Sequence, residues 1–241
     1  MIYVKTALLM LYTFLLSIVA LIQGVFDRPG KHHGKVQRQW ARVVLRLAGV
    51  KVDVEGLENL KDANPALIVM NHESALDIPV AIAALPISLR FIFKRELLQI
   101  PFFGWALWQG KHIPINRSKP KQAIQTINKK SAEIFQRGYN IIIAPEGTRS
   151  VDGKIGKFKK GGFKIAEQYN LPVIAITMIG NRFCNPKGAM TIIPGTVKAL
   201  IHPAVKISDF DDIDHCMNFI REKMIDMKNK HEKTLEEAIC A

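Results

Sequence analysis

Apolar residues fall along this chain in three patterns, and each predicts a different kind of element. The first is unbroken. "TALLMLYTFLLSIVALIQGVF", Thr6 to Phe26, carries no charged side chain and approaches the roughly 20 residues that cross a bilayer's hydrocarbon core. The second is periodic. In "KVQRQWARVVLRLAG" Val36, Trp40, Val43, Val44 and Leu47 recur at helical spacing with Arg38, Gln39, Arg42 and Arg46 opposite, and Lys119 to Arg137 sets Ile124, Ile127, Ile134 and Phe135 against lysines and glutamines before Gly138. The third is a series of short runs rich in branched residues or Phe: Val50 to Val54, Ala66 to Met70, Leu89 to Phe93, Ile113 to Ile115, Asn140 to Ala144 and Pro172 to Met178. These read as buried strands.

Strands alternating with helices predict an α/β fold: a single domain with a largely parallel central sheet flanked by helices, preceded by an N-terminal membrane-binding helical segment. The expected division is 1–48 for membrane attachment and 49–241 for the α/β domain. "MTIIPGTVKALIHPAVKI" predicts two strands broken at Pro194-Gly195 and His202-Pro203, and a polar helix from about Asp212 to Glu237 closes the chain. The basic helix after the first apolar run suits the headgroup region of an anionic membrane, or a place on its own domain's core, or both if it lies between the two.

Composition narrows the setting. A chain of 241 residues suits one substantial domain with an appendage, and a net charge of +13 calls for an anionic partner, whether nucleic acid, membrane surface or phosphorylated small molecule. Aromatic and basic residues interleaved on an exposed sheet, as single-stranded nucleic acid requires, are not found. The three cysteines, Cys184, Cys216 and Cys240, include no CxxC pair, which fits a reducing location and no metal. A secretory signal is disfavoured by the poor cleavage pattern. Arg28, Lys31, Lys35, Arg38, Arg42 and Arg46 follow the apolar run and only Lys5 precedes it, so the main body is expected on the cytoplasmic face of the membrane.

Chemistry gathers where two of the strands end. In "VMNHESALDIP" His72 and Asp77 stand five apart, too far round a regular helix to face one another. Pro79 places a helix start within Ser74 to Ile78. His72 then belongs to the strand-exit loop with Asp77 in the first helical turn, where a carboxylate can fix the imidazole tautomer and leave the other nitrogen free to take a proton; the alternative is an Asp77 that only caps the helix beside a surface His72. In "IIIAPEGTRS" another strand releases Glu146, Gly147, Thr148 and Arg149. Gly147 permits close approach and Arg149 offers a planar fork for phosphate. Lys154, Lys157, Lys159, Lys160 and Lys164 follow among glycines, a pattern that favours an anion without matching a nucleotide-binding loop.

"NHESALD" followed by "PEGTRS" resembles the glycerolipid acyltransferase family, and particularly the lysophosphatidic acid acyltransferases. The first block falls on Asn71, His72 and Asp77, and the second, within "KRELLQIPFFGWALWQGKHIPINRS", on Lys94, Glu96, Leu97, Pro101, Gly104 and Arg117. The third is Glu146 to Arg149, and the fourth is "LPVIAIT", where Pro172 matches and Ala175 replaces the usual second proline. The resemblance implies transfer of an acyl chain from acyl-CoA or acyl carrier protein to the sn-2 hydroxyl of 1-acyl-sn-glycerol 3-phosphate, giving phosphatidic acid with no cofactor and no acyl-enzyme. His72 oriented by Asp77 would be the base. Arg149, Arg117 and Lys94 would hold the acceptor phosphate, and Glu146, Gly147 and Thr148 would shape the glycerol pocket. Glycerol 3-phosphate, another lysophospholipid or a lyso-ornithine lipid remain open as acceptors, and a non-catalytic basic membrane-binding module remains the reading from a different class. His112, the cysteines and the "FFGWALW" aromatics are expected to pack, in the core or against membrane, rather than to react.

Overall fold

The computed structural model describes residues 2–26, 31–61, 63–116, 118–189 and 191–240. In chain order the elements are α1 (Ile2–Phe26), α2 (Lys31–Ala48), β1 (Val50–Glu55), β2 (Leu67–Met70), α3 (Asp77–Ala84), β3 (Leu89–Lys94), α4 (Phe103–Gln109), β4 (Ile113–Ile115), α5 (Pro120–Gln136), β5 (Asn140–Ile143), α6 (Lys160–Gln168), β6 (Val173–Ile179), α7 (Asn181–Cys184), β7 (Gly195–Ile201) and α8 (Ile213–Cys240). Among the described residues seven strands form one sheet in the order β1-β7-β6-β2-β5-β3-β4. Neighbours are parallel except β6 and β7, so β1 and β7 run against the other five.

The central strands read as continuous apolar runs because both of their faces are covered. Along β2, Ile68 and Met70 join a core with α2 and α3, while Leu67 and Val69 join a second core with α5, α6 and α8. β5 divides in the same way, Ile142 to the first core and Ile141 and Ile143 to the second. From β2 the chain crosses to β3, beyond β5, whereas from β5 it crosses to β6, beyond β2. That reversal puts the sheet's topological switch point, where folds of this kind carry a ligand crevice, at the carboxyl ends of β2 and β5.

α1 is apolar and long enough to cross a membrane, and little of its length is buried. Its middle is nevertheless fastened to the body: Trp40 Nε1 donates to Thr13 Oγ1 at 3.1 Å, Gln109 Nε2 donates to the Leu21 carbonyl at 3.2 Å, and the Phe14 and Phe102 rings meet edge to face at 5.1 Å. α2 satisfies both readings of its amphipathic pattern, with one adjustment of face. Ala41, Val44, Leu45 and Ala48 enter the core, Val36 and Trp40 line a cavity beneath α1, and Leu47 is 39 % exposed. Wedged between α1 and α3, the helix uses its small residues for close contact, so its buried stripe is displaced from the one that large side chains alone suggested.

The segment expected to give two strands gives one. β7 spans Gly195–Ile201, and beyond it Val205 makes only an isolated bridge to Val173. Upstream of Pro194 the carbonyls of Ala189 and Thr191 accept from Asn185 Nδ2 at 3.1 and 2.9 Å. A side chain thus supplies there what a partner strand would have supplied. Cys184 and Cys216 are buried, while the Cys240 side chain lies outside the described residues. His112 is fully buried and its Nδ1 accepts from the Phe91 N–H at 2.9 Å. Burial, with the nearby His33 and Arg90, pushes it well below the ordinary imidazole range, as a packing residue should be.

Candidate active site

β2 ends at Met70, where its neighbour β6 still continues, and Asn71 bridges the gap with its side chain. Its Oδ1 accepts from Met178 N and its Nδ2 donates to Met178 O, both at 2.8 Å. The next residue, His72, is fixed at both backbone groups. Its N–H donates to Glu146 Oε1 at 2.9 Å, and its carbonyl accepts from Ser150 N at 2.7 Å. The loop leaving β5 therefore holds the backbone leaving β2.

Asp77 opens α3 as its first residue. Its Oδ2 accepts from His72 Nδ1 at 2.6 Å and from the backbone N–H groups of Glu73 and Ser74 at 2.9 and 3.0 Å, and its Oδ1 accepts from Asn181 Nδ2 at 2.6 Å. A carboxylate that only accepts assigns the proton to Nδ1 of His72 and leaves Nε2 with a free lone pair. Asp77 is wholly inaccessible, while the His72 side chain is 18 % exposed. Such a pair can take a proton from a hydroxyl brought to the one reachable nitrogen.

The remaining candidates divide by position. Glu146 uses both carboxylate oxygens on backbone donors, His72 N and Gly156 N, the latter at 2.8 Å. It ties two loops together, and burial, opposed by those donors, pushes its carboxyl upward. Gly147 has φ 76°, and a Cβ there would stand 2.6 Å from Lys159 Nζ. Any side chain would thus be strained and would displace a cation from the loop. Thr148 is exposed and Arg149 half-buried, beside the Ser150 contact to His72. Lys94 ends β3 on the same sheet edge, half exposed and 3.4 Å from Glu96. Arg117 lies outside the described residues. Among the described residues no group of three or more His, Cys, Asp or Glu side chains is set to hold a metal.

Two features around the pair were not singled out from sequence. Asn181 is fully buried at the exit of β6, directly after Gly180, and holds the outer oxygen of Asp77. Its signal was the one that marked His72, a polar residue where a buried strand ends. Glu73, also buried, accepts from Lys228 Nζ of α8 at 3.1 Å. Lys228 reaches Glu232 at 3.2 Å, which in turn accepts from Arg182 Nε at 3.0 Å. Burial pushes the Glu73 carboxyl up to about 7, with Lys228 pulling it back and the Asp77 and Glu232 charges adding to the rise. No local pattern announces a partner 155 residues away.

The sequence model of the Acyltransferase family matches residues 51–179, more than half of the chain. A 1-acyl-sn-glycerol-3-phosphate acyltransferase of Pseudomonas aeruginosa is 37% identical over 174 residues, covering 70% of this chain and 66% of that protein. The chloroplastic 1-acyl-sn-glycerol-3-phosphate acyltransferase BAT2 of Brassica napus is 36% identical over 216 residues, 86% of this chain and 62% of its own. The chain thus spans a little under two thirds of the length of these relatives. The crystal structure of the 1-acyl-sn-glycerophosphate (LPA) acyltransferase PlsC from Thermotoga maritima superposes with a TM-score of 0.74 at 26% identity, covering 94% of this chain and 97% of that one. With the matched region running from β1 to the end of β6 and enclosing His72, Asp77 and Glu146, the chain belongs to the acyltransferase family.

Proposed function

We propose that this protein acylates the sn-2 hydroxyl of 1-acyl-sn-glycerol 3-phosphate, using acyl-CoA or acyl carrier protein thioester as donor, and yields phosphatidic acid at a membrane surface. The observation that carries this reading is the His72 to Asp77 contact of 2.6 Å in a chain of this family. His72 Nε2 takes the hydroxyl proton as the oxygen attacks the thioester carbonyl. The resulting imidazolium is stabilised by Asp77 and returns its proton to the departing thiolate. No bond to the enzyme forms. Holding hydroxyl and thioester together supplies up to roughly 7 to 11 kcal/mol of the barrier reduction. Arg149, Arg117 and Lys94 receive the acceptor phosphate. The Glu146 carboxylate, occupied by backbone donors, sets the wall from which Gly147 and Thr148 face the glycerol.

Residues 1–48 act in this reading as the attachment to the membrane, with residues 49–241 as the catalytic domain on its cytoplasmic face. Because α1 is bound to the body from Thr13 to Leu21, only its outer side is free for lipid, which brings the crevice to the headgroup level. An apolar cavity of about 210 Å³ lies between α1, α2, α3 and α4, lined among others by Leu16, Ala20, Trp40, Ile78 and Phe103. In this reading the cavity takes part of an acyl chain, and Ile78, which follows Asp77 on α3, is its lining residue nearest in sequence to the reacting pair.

The test is transfer of label from long-chain acyl-CoA, and separately from acyl carrier protein thioester, to 1-acylglycerol 3-phosphate by the purified protein in detergent. Labelled phosphatidic acid from the wild type but not from His72→Ala is the expected result. Equal transfer by both proteins would remove the base, and transfer only to another acceptor would remove the substrate assignment.

A further inference from the structure

The apolar surface of α1 does not stop at α1. Phe14 meets Phe102 edge to face at 5.1 Å, and Phe102 meets Trp105 at 5.2 Å, so a row of rings runs from the middle of α1 onto α4. Phe102 sits at φ 60° immediately before the helix, a conformation a bulky residue adopts only where its surroundings enforce it. Beyond it, large apolar side chains remain uncovered: Trp105 is 52 % exposed, Trp108 53 %, Ile100 46 % and Ile124 on α5 46 %. Two half-exposed indoles on one short helix beside aliphatic neighbours make a patch of the kind that marks an interaction surface.

Charge decides what this surface fits. Trp105 and Trp108 border a groove of about 610 Å³ whose other walls include Arg95, Asn116, Gln122 and Lys130. Lys130 Nζ lies 3.8 Å over the Trp108 ring, an ammonium stacked on an indole. Burial and the neighbouring Lys111 depress the Lys130 ammonium, against a smaller contribution from Glu133, and an arriving anion would relieve that cost. Indoles at the border of an apolar surface, cations beside them and amide donors between are what the boundary between lipid chains and anionic headgroups requires.

We propose that the α4–α5 face, through Trp105, Trp108, Arg95 and Lys130, is a second membrane contact that seats on an anionic phospholipid surface alongside α1. This inference rests on the membrane reading of α1 but not on the reaction. It fixes the depth and tilt of the body, because a contact on α4 and α5 adds a second support to the one through residues 1–48. The sheet edge that carries Lys94, at the end of β3 just before Arg95, is thereby turned toward the bilayer.

The experiment uses the full chain, whose three tryptophans allow each indole to be read alone. Trp40→Phe with Trp108→Phe leaves Trp105, and Trp40→Phe with Trp105→Phe leaves Trp108. Each is bound to vesicles containing phosphatidylglycerol and phosphatidylcholine brominated at a shallow or a deep chain position. The expected result is fluorescence quenching of each indole by roughly twofold, stronger from the shallow bromine, as interfacial tryptophan behaves. Should Trp40→Phe impair folding, the wild-type indoles in Arg95→Glu/Lys130→Glu provide the second reading. Total quenching on the same vesicles is expected to fall, while the protein still floats with them through α1. Flotation without quenching of Trp105 or Trp108, or quenching unchanged by the charge reversals, would overturn this surface and leave α1 in place. Failure to float at all would overturn both this surface and the membrane reading of α1, with the transfer assay in detergent still deciding the reaction.

Discussion

Replacing Asp77 by asparagine separates the charge of the pair from its geometry. Asp77 satisfies four donors, three of them on Oδ2: His72 Nδ1, Glu73 N and Ser74 N. Asparagine has one acceptor oxygen, and three converging donors fix it in the Oδ2 position. Its amide nitrogen then faces Asn181, whose own nitrogen donates to Oδ1 in the wild type. Asn181 Oδ1 is buried without a hydrogen-bond partner, so a turn of the Asn181 amide supplies the acceptor that the introduced amide nitrogen needs. The variant keeps its volume, the four hydrogen bonds at residue 77 and the Nδ1–H tautomer of His72, and the turn of Asn181 gives up only its long 3.6 Å contact to Met178 Sδ. At the imidazolium it loses only the negative charge.

A unit charge pair about 4 Å apart at an effective dielectric of about 20 is worth roughly 4 kcal/mol. The partial exposure of His72 screens some of this, leaving roughly 3 to 4 kcal/mol, or a fall of about 10²- to 10³-fold in kcat. The assay is steady-state transfer to the lysophospholipid acceptor over a range of its concentrations, beside thermal unfolding of both proteins. The acceptor KM and the melting temperature are expected to hold. A kcat within about threefold of wild type would mean that the carboxylate charge is not used in the transition state, and the oriented-base account would fail. A loss confined to KM would move Asp77 into acceptor binding instead.

Asn181→Ala removes a fully buried hydrogen bond to a charged oxygen, worth about 1.5 to 3 kcal/mol. A kcat reduction of roughly tenfold or more is expected with a lowered melting temperature, and Asn181→Gln or Asn181→Ser should recover less activity than stability if orientation of Asp77 is the role. Glu73, raised to about 7 when folded, binds its proton more tightly in the native than in the unfolded chain. Its contribution is complete below pH about 4.5 and is lost as pH rises through about 7, on the order of 3 kcal/mol. Glu73→Gln should therefore lose less stability than the wild type between pH 5 and pH 8 in denaturant unfolding, and equal slopes would refute the assignment. Ala20→Trp fills the cavity under α1, where Ala20 is 6 % exposed. Competition among acyl-CoAs should then shift toward shorter chains, whereas an unchanged preference would show that the acyl chain lies elsewhere.

What the chain determined by itself is what depends on neighbours in sequence. Apolar runs of strand length predicted six of the seven strands nearly to the residue, since β2 and β5 are buried on both faces and leave no ambiguity of period. Pro79 confined the start of α3 to Ser74 to Ile78, because proline is restricted to a first turn, and the helix begins inside that window at Asp77. The strand-exit positions of His72 and Glu146 followed from those boundaries. Tertiary structure alone decided which strands lie side by side, and with that which exits share a crevice. β2 and β5 are adjacent in the sheet although β3 and β4 come between them in sequence. It also decided that Glu146 spends its carboxylate on the backbone of His72 and Gly156, that Asn181 braces Asp77 from 104 residues away, and that Lys228 of α8 answers Glu73. α2 turned a different stripe inward because alanines, invisible to a search for large apolar residues, allow the closest helix contact. Local periodicity records how a segment meets an average environment. The partner of a buried polar group is set by which elements the packed cores bring together, and no spacing along the chain encodes that.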